Sequence, residues 1–378
     1  MIIYQIDRPK NSKEFLKELG VDNGGVEIIA KKMDTLFFKI KNLKTPAANI
    51  LKQEALSVGA ELAVPAGVII CKEKEVDALL ITTYSKLRIL VKKCLVQPFE
   101  LKELGLKLKE FIELKSFPLQ IMGVINANSD SFYSGSRFQE ENAIKKIYEM
   151  IEDGADIIDI GGVSSRPGSE GVSVEEELYR VASICDMIKR ERLFEKVKFS
   201  IDSYTPEVIE YALKSGFAIV NDITGAKSDR VIELARDFEA KLCIMHMQGN
   251  PKDMQQNPTY TNVVDEVDRF FASQIQKCET LGLRQDNIIL DVGIGFGKSL
   301  EHNLELLKSH SHFRHFGCEL LIGASRKSMI NKISPSPVEE RLAGTLAIHL
   351  KAFKNGANII RCHDVKEHLQ AFRVWERI

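Results

Sequence analysis

Gly154-Ala155-Asp156-Ile157-Ile158-Asp159-Ile160-Gly161-Gly162 is the stretch on which the fold turns. A glycine able to end a helix opens it. A short apolar run follows, broken by one carboxylate, and a pair of glycines closes it. Continuous apolar runs bounded by turn residues suit strands buried on both faces. Polarity returns only where the run stops.

The same rhythm recurs on both sides. The runs are Gln120–Asn126, Asp156–Ile160, Val197–Asp202, Ala218–Asn221, Leu242–His246, Asn287–Asp291, Leu320–Gly323 and Asn358–Arg361. Helical patterns lie between them. Ile144, Ile147, Met150 and Ile151 share one helical face, as do Val208, Ile209, Ala212 and Leu213, and Val263, Val264, Val267, Phe270 and Phe271. Gly154, Gly216, Gly282 and Gly356 stand where helices should close. Eight strand–helix units over about 260 residues match a (β/α)8 TIM barrel. A doubly wound sheet is the rival; the count of eight and the uniform alternation favour the barrel.

The chain has 378 residues, more than one such barrel needs. Its character changes near Pro118. Residues 1–118 hold 20 basic and 15 acidic residues, net +5; the remainder hold 32 and 38, net −6. Residues 1–117 are therefore expected to form a small α/β (α+β) accessory domain, and residues 118–378 the barrel. In the first part Ile2–Ile6, Glu27–Ala30, Leu36–Ile40 and Gly67–Cys71 read as strands. Phe15–Leu19, Ala48–Leu56 and Lys86–Cys94 read as helices. No catalytic cluster shows there, and its lysines have the spacing of a solvated face.

Composition narrows the function. The overall net charge of −1 argues against bulk attraction to nucleic acid or an anionic membrane. No apolar run is long enough to span a bilayer. The N-terminus lacks the basic and apolar regions of a secretory signal. Seven cysteines without a C-x-x-C suggest a reduced, cytoplasmic protein.

Active sites of such barrels lie where the strands end. Here those ends carry Asn126, Asp159, Asp202, Asn221, His246, Asp291, Lys327 with Ser325 and Ser328, and Arg361 with His363. The loop after the second strand adds Ser165 and Arg166. Helix capping explains the Asp, Asn and Ser, but not the Arg, Lys and His. Arginine in a Gly- and Ser-rich turn suits phosphate, and buried carboxylates suit a ring edge rich in N–H donors. Together they imply a phosphorylated heterocycle.

Asp291–Ser299 (DVGIGFGKS) fails both the P-loop and the G-x-G-x-x-G spacing. Its glycines are expected to admit a flat ligand beside Phe296. His310, His312, His315 and Cys318 match no common zinc spacing, so metal binding is not expected there. There is no G-x-S-x-G nucleophile elbow.

Taken in order, Ile121–Asn126, Gly154–Gly162 with Ser165–Gly168, Ser200–Tyr204, Val220–Asp222, Met245–Gly249, Asp291–Lys298, Ser325–Ser328, Arg341–Thr345 and Arg361–Val365 resemble dihydropteroate synthase across nearly all of residues 119–378. The resemblance implies a transferase of folate biosynthesis. It would condense 6-hydroxymethyl-7,8-dihydropterin diphosphate with 4-aminobenzoate, giving 7,8-dihydropteroate and diphosphate. It implies pterin contacts from Asp202, Asn221, Asp291 and Lys327, and a magnesium ligand in Asn126. Arg166, Arg361 and His363 would hold the diphosphate; Ser165, Phe296 and Ser328 would line the aminobenzoate pocket. A homodimer is implied as well. Ser134 departs from the family's aspartate, Asn128 and Ser129 from its Thr-Pro, and Val163 and Val292 from its Glu and Pro. Two other readings share the barrel. A methyltransferase passing a methyl from a folate to a corrinoid would have no use for Arg166 and Ser325–Ser328. A non-catalytic pterin binder is suggested by Ser134 and the extra N-terminal part.

Overall fold

A computed structural model of the chain describes residues 2–4, 6, 9, 11–127, 136–163, 172–249 and 254–378, without the side chains of 136–141. It divides into two compact units, residues 1–114 and 115–378.

The first unit runs α1 (Ser12–Glu18), α2 (Asn23–Met33), β1 (Thr35–Lys44), α3 (Thr45–Ser57), β2 (Glu61–Ala63), β3 (Glu75–Thr83), α4 (Tyr84–Cys94) and α5 (Leu101–Lys109). The strands form an antiparallel sheet in the order β1-β3-β2. β3 alternates exposed and buried residues, the period of a half-buried strand. Its inward Val76, Ala78 and Leu80 pack with Leu51 of α3 and Leu87, Leu90 and Val91 of α4.

Three expected strands here are not strands. Glu27–Ala30 lies in α2, because Asp22 caps that helix by accepting a hydrogen bond from Gly25 N–H at 2.9 Å. Gly67–Cys71 is a 3-10 turn, pinned between left-handed Gly67 (φ 89°) and Cys71 (φ 53°). Ile2–Tyr4 and Ile6 form no strand.

The second unit is a closed barrel of eight parallel strands in the order β10-β11-β4-β5-β6-β7-β8-β9. The strands are β4 (Gln120–Asn126), β5 (Ile157–Gly161), β6 (Lys198–Asp202), β7 (Ile219–Asp222), β8 (Lys241–Met245), β9 (Ile288–Asp291), β10 (Glu319–Ile322) and β11 (Ile359–Cys362). Between and after them run α6 (Ser136–Glu152), α7 (Val174–Arg190), α8 (Pro206–Lys214), α9 (Asp229–Asp237), α10 (Val263–Thr280), α11 (Leu300–Lys308), α12 (Ser328–Ile333), α13 (Leu342–Lys354) and α14 (Val365–Trp375). Each expected apolar run became a strand, within a residue or two of its expected bounds. The α/β barrel with a small α/β unit before it is the expected fold class.

The barrel interior explains where the site lies. Met122, Ile157, Ile219, Cys243, Ile289, Leu321 and Ile359 fill one inner layer. Side chains two residues apart on a strand share a face. The next inward positions toward the strand ends are therefore Val124, Asp159, Asn221, Met245, Asp291, Gly323 and Arg361, joined by Asp202 of β6. Within one pleat the apolar layer gives way to a floor that carries Asp159, Asn221, Asp291 and Arg361 beside the apolar Val124 and Met245.

Among the described residues no helix is long and apolar enough to cross a membrane. All seven cysteines are unpaired thiols; six are buried and Cys71 is exposed. Burial pushes Cys94 up to about 11, and Cys185, Cys278 and Cys318 to about 12.

Candidate active site

The floor is knitted by one arginine. Arg361 donates from Nε to Asp159 Oδ2 at 2.7 Å and from Nη2 to Asp202 Oδ2 at 2.8 Å. Asn221 Nδ2 donates to the same Asp159 oxygen at 3.2 Å, which leaves its carbonyl oxygen for another donor. Asp159 is fully buried, and its Oδ1 has no hydrogen-bond partner among the described residues. Burying an ion costs several kcal/mol, so this group persists only because the charges are paired. Two carboxylates against one guanidinium leave the trio net negative. Burial pushes the Asp202 carboxyl upward, against the pull of Arg361. Burial would lower Arg361, but Asp159 and Asp202 hold its guanidinium firmly charged.

Asp291 and Lys327 face this group across the barrel mouth. Burial raises the Asp291 carboxyl, while a bond from Gly293 N–H at 2.8 Å and the charge of Lys327 oppose it. Lys327 donates to Ile294 O, and its ammonium sits 4.1 Å from the Phe296 ring centre. Burial lowers its pKa to about 8, with Asp291 opposing.

The glycine-rich loop after β9 is used differently from the expectation. A Cβ on Gly293 would stand 2.0 Å from His246 O, and one on Gly297 2.2 Å from Gln248 O. Both glycines have positive φ. They admit the backbone of the loop after β8, so the two loops interlock. Lys298 secures the join. It is buried, donates to His246 O at 3.1 Å and Phe296 O at 2.9 Å, and lies 3.0 Å from His246 Nδ1. Burial brings Lys298 down to about 7 and His246 to about 3.

A second hidden support underlies the loops after β10 and β11. Ala324 N–H donates to His349 Nε2 at 3.1 Å, so the His349 proton must sit on Nδ1. That proton is donated to His368 Nε2 at 2.8 Å, and His368 Nδ1 donates to Asp364 O at 2.6 Å. Asp364 in turn takes two bonds from Arg326, at 2.7 and 3.1 Å, which holds Arg326 in a left-handed backbone (φ 54°). Both histidines are fully buried, and burial keeps both neutral. The relay thus fixes Arg326 beside Lys327, and Asp364 beside His363.

Of the expected site residues, Asp202, Asn221, Asp291, Lys327, Phe296 and Arg361 line one mouth. Asn126 ends β4, on the inward face beyond Met122 and Val124. His363 is exposed and pairs through Nδ1 with Ser325 Oγ at 2.9 Å. Ser328 is exposed at the start of α12. Ser165, Arg166, Asn128, Ser129 and Ser134 lie outside the described residues. The sequence counts Asp159 among the ring carboxylates that suit ligand N–H donors; in the structure it is also the hub of the floor, taking bonds from Arg361 and Asn221. The Lys298–His246 contact and the His349–His368 relay were missed, because only tertiary packing pairs them.

Residues 122–363 match the family model of the pterin binding enzymes. The chain is 41% identical to the bifunctional dihydropteroate synthase/dihydropteroate reductase of Helicobacter pylori, over 100% of this chain and 99% of that protein. It is 46% identical to the dihydropteroate synthase of Escherichia coli K12, over 68% of this chain and 90% of that one. The crystal structure of Yersinia pestis dihydropteroate synthase with a sulfonamide drug complex superposes with a TM-score of 0.65 at 37% identity, covering 69% of this chain and 94% of that one. A closed eight-stranded barrel, an acceptor-rich floor and these three likenesses converge: the chain belongs to the pterin binding enzyme family and, within it, to the dihydropteroate synthases.

Proposed function

We propose that the barrel mouth holds a reduced pterin diphosphate over the Asp159–Asp202–Arg361 floor and joins its methylene carbon to the amine of 4-aminobenzoate. The observation that carries this is the surplus of acceptors at the mouth: the buried Asp159 Oδ1 and the Asn221 carbonyl oxygen, neither with a partner among the described residues, the buried Asp291 carboxylate, and the mostly covered carboxylate of Asp202. A ring edge carrying several N–H donors satisfies them. Leaving such acceptors unpaired in a closed site costs about 1–3 kcal/mol each. Lys327 supplies the single donor such an edge needs for its carbonyl.

The reaction breaks the C–O bond to diphosphate, forms a C–N bond to the arylamine and releases one proton. Negative charge builds on the leaving oxygens and must be met by fixed cations. Arg361 has spent Nε and Nη2 on the carboxylates, which leaves Nη1 for an anion. We assign Arg166 and His363 to the diphosphate, and Ser165, Phe296 and Ser328 to the aminobenzoate, on the resemblance of their motifs to the family. Asn126 offers one neutral oxygen at the strand end. That donor set fits Mg2+, which binds through one or two protein oxygens plus substrate phosphates and water. When bound, the ion neutralises charge on the diphosphate oxygens. The barrel needs no nucleophile of its own. Seven unpaired cysteines support a cytoplasmic setting, and we take the enzyme to be a homodimer.

The test is direct. The chain is incubated with 6-hydroxymethyl-7,8-dihydropterin diphosphate, Mg2+ and 4-aminobenzoate, and dihydropteroate and diphosphate are measured. Activity no higher than in Lys327→Ala or Asn126→Ala overturns these assignments.

A second activity is supported by one observation. The match to the Helicobacter pylori protein spans the whole chain, residues 1–114 included, whereas the match to the Escherichia coli synthase spans 68%. We propose that this chain also reduces dihydropteroate, taking a hydride from a separate donor and a proton from solvent. Incubation with dihydropteroate and a reduced nicotinamide or a reduced flavin should yield tetrahydropteroate. No product with either donor overturns it.

A further inference from the structure

The histidine cluster before β10 does not behave as its spacing suggested. His310 turns into the core, fully buried. Cys318 turns to the carbonyls of Gln285 and Phe316, 3.8 Å from each. His312 and His315 part company with both. They lie in the 3-10 segment His310–Phe316, where three residues make a turn and positions i and i+3 eclipse. Their side chains therefore leave on one side, with ring centres 5.0 Å apart.

What they meet is Asp268, from the middle of α10 and 44 residues earlier in the chain. Its Oδ1 lies 3.0 Å from His312 Nε2 and 2.7 Å from His315 Nε2. The three ligand atoms all fall within 4.8 Å of one another. Burial alone would raise the Asp268 carboxyl; hydrogen bonds from the two imidazoles outweigh it and hold the group below the ordinary carboxylate range.

We propose that Asp268, His312 and His315 bind one divalent transition-metal ion of the zinc, cobalt or nickel class, clipping α10 to the turn before β10. Two imidazoles and a carboxylate are the donors such ions prefer, whereas Mg2+ takes oxygen. Ligand atoms at about 2.0–2.1 Å from a tetrahedral ion stand about 3.3 Å from each other. The observed 2.7 and 3.0 Å are hydrogen-bond distances, shorter than that by about 0.3–0.6 Å. A small outward rotation of Asp268 opens the space for the ion. The side chains keep partial access to solvent, 26% for Asp268 and 34% for His312, so water can complete the coordination. The site sits on the outer helical layer, and none of its residues belongs to the strand-end ring.

The experiment uses the full chain after chelator treatment. Zn2+ is titrated in competition with a chromophoric chelator, and Co2+ is followed by its visible absorption. One equivalent should bind with Kd below about 10 µM, and the melting temperature should rise with metal. His312→Ala and His315→Ala should each weaken binding at least 10-fold and abolish the thermal shift. Cys71→Ser should change neither, and synthase activity with Mg2+ should be the same in all variants. Crystals of the unaltered chain grown with zinc should show an anomalous peak between the three side chains, a readout that needs no variant. No stoichiometric binding, binding that survives in the His312→Ala/His315→Ala double variant, or an anomalous peak only elsewhere overturns the proposal.

Discussion

Both units carry exposed ion pairs, but among the described residues only the barrel pairs a carboxylate that is wholly shut away from water. In residues 1–114 three of the four described ion pairs lie at the surface, Lys13–Glu27 at 2.5 Å, Lys44–Glu100, and Arg88–Glu113 at 3.1 Å, and the fourth, Lys93–Glu54 at 2.6 Å, is still partly open to water. In the barrel the central pair joins Arg361 to an Asp159 that water does not reach. A pair in water is screened and interchangeable; a pair in a dry floor is strong only while complete. Chemistry needs the second kind. The contrast says where substitutions should matter, and four measurements can break or sharpen it.

The largest effect is expected from Arg361→Ala, which leaves Asp159 and Asp202 buried without their cation. It should cost about 3–5 kcal/mol in urea unfolding and lower turnover at least about 1,000-fold. Near-parental stability would show that water screens the floor. Asp202→Ala comes next. It should weaken binding of the pterin diphosphate by about 100-fold, roughly 2.7 kcal/mol, as read by calorimetry. An unchanged affinity would remove Asp202 from the pterin site.

The third test concerns pH. His310 is fully buried, and burial lowers its pKa from 6.5 to about 4 against the opposing pull of the Asn355 backbone. It therefore takes up a proton on unfolding, so its contribution to stability falls as pH drops below 6.5 toward 4. His310→Phe removes that loss. Relative to the variant, the parent should lose about 2 kcal/mol between pH 7 and pH 5. A constant difference would mean that His310 is hydrated in the folded state. The smallest effect belongs to the N-terminal unit. Arg88→Ala should change stability by less than about 0.5 kcal/mol and leave turnover unchanged. A larger change would end the contrast between the units.

The barrel was legible because its signals are local. Each strand is a short apolar run, and Asp159, Asn221, Asp291 and Arg361 each sit two residues beyond an inner-layer side chain. The N-terminal unit was harder. Val26-Glu27-Ile28-Ile29 has strand composition, but the Asp22 cap decides for helix. β3 shows no clean period in its sequence: Ala78-Leu79-Leu80-Ile81 is a continuous apolar run, and the alternation of Glu75–Thr83 appears only in its burial. At the site, sequence order gave the ring but not its wiring. Nothing near Asp268 marks it as a partner of His312 and His315. Nothing in Gly293 says that its neighbour is a carbonyl rather than a ligand. Such facts belong to packing between segments distant in the chain.

One exposed thiol has a practical consequence. Only Cys71 is both a free thiol and open to solvent, since burial holds the other six in their unreactive form. The chain also has a single tryptophan, Trp375, at the end of α14. A maleimide dye would therefore label the unmutated protein at one position in the N-terminal unit, with a natural fluorescent donor fixed in the barrel. Energy transfer between the two would report whether the distance from one unit to the other changes during turnover.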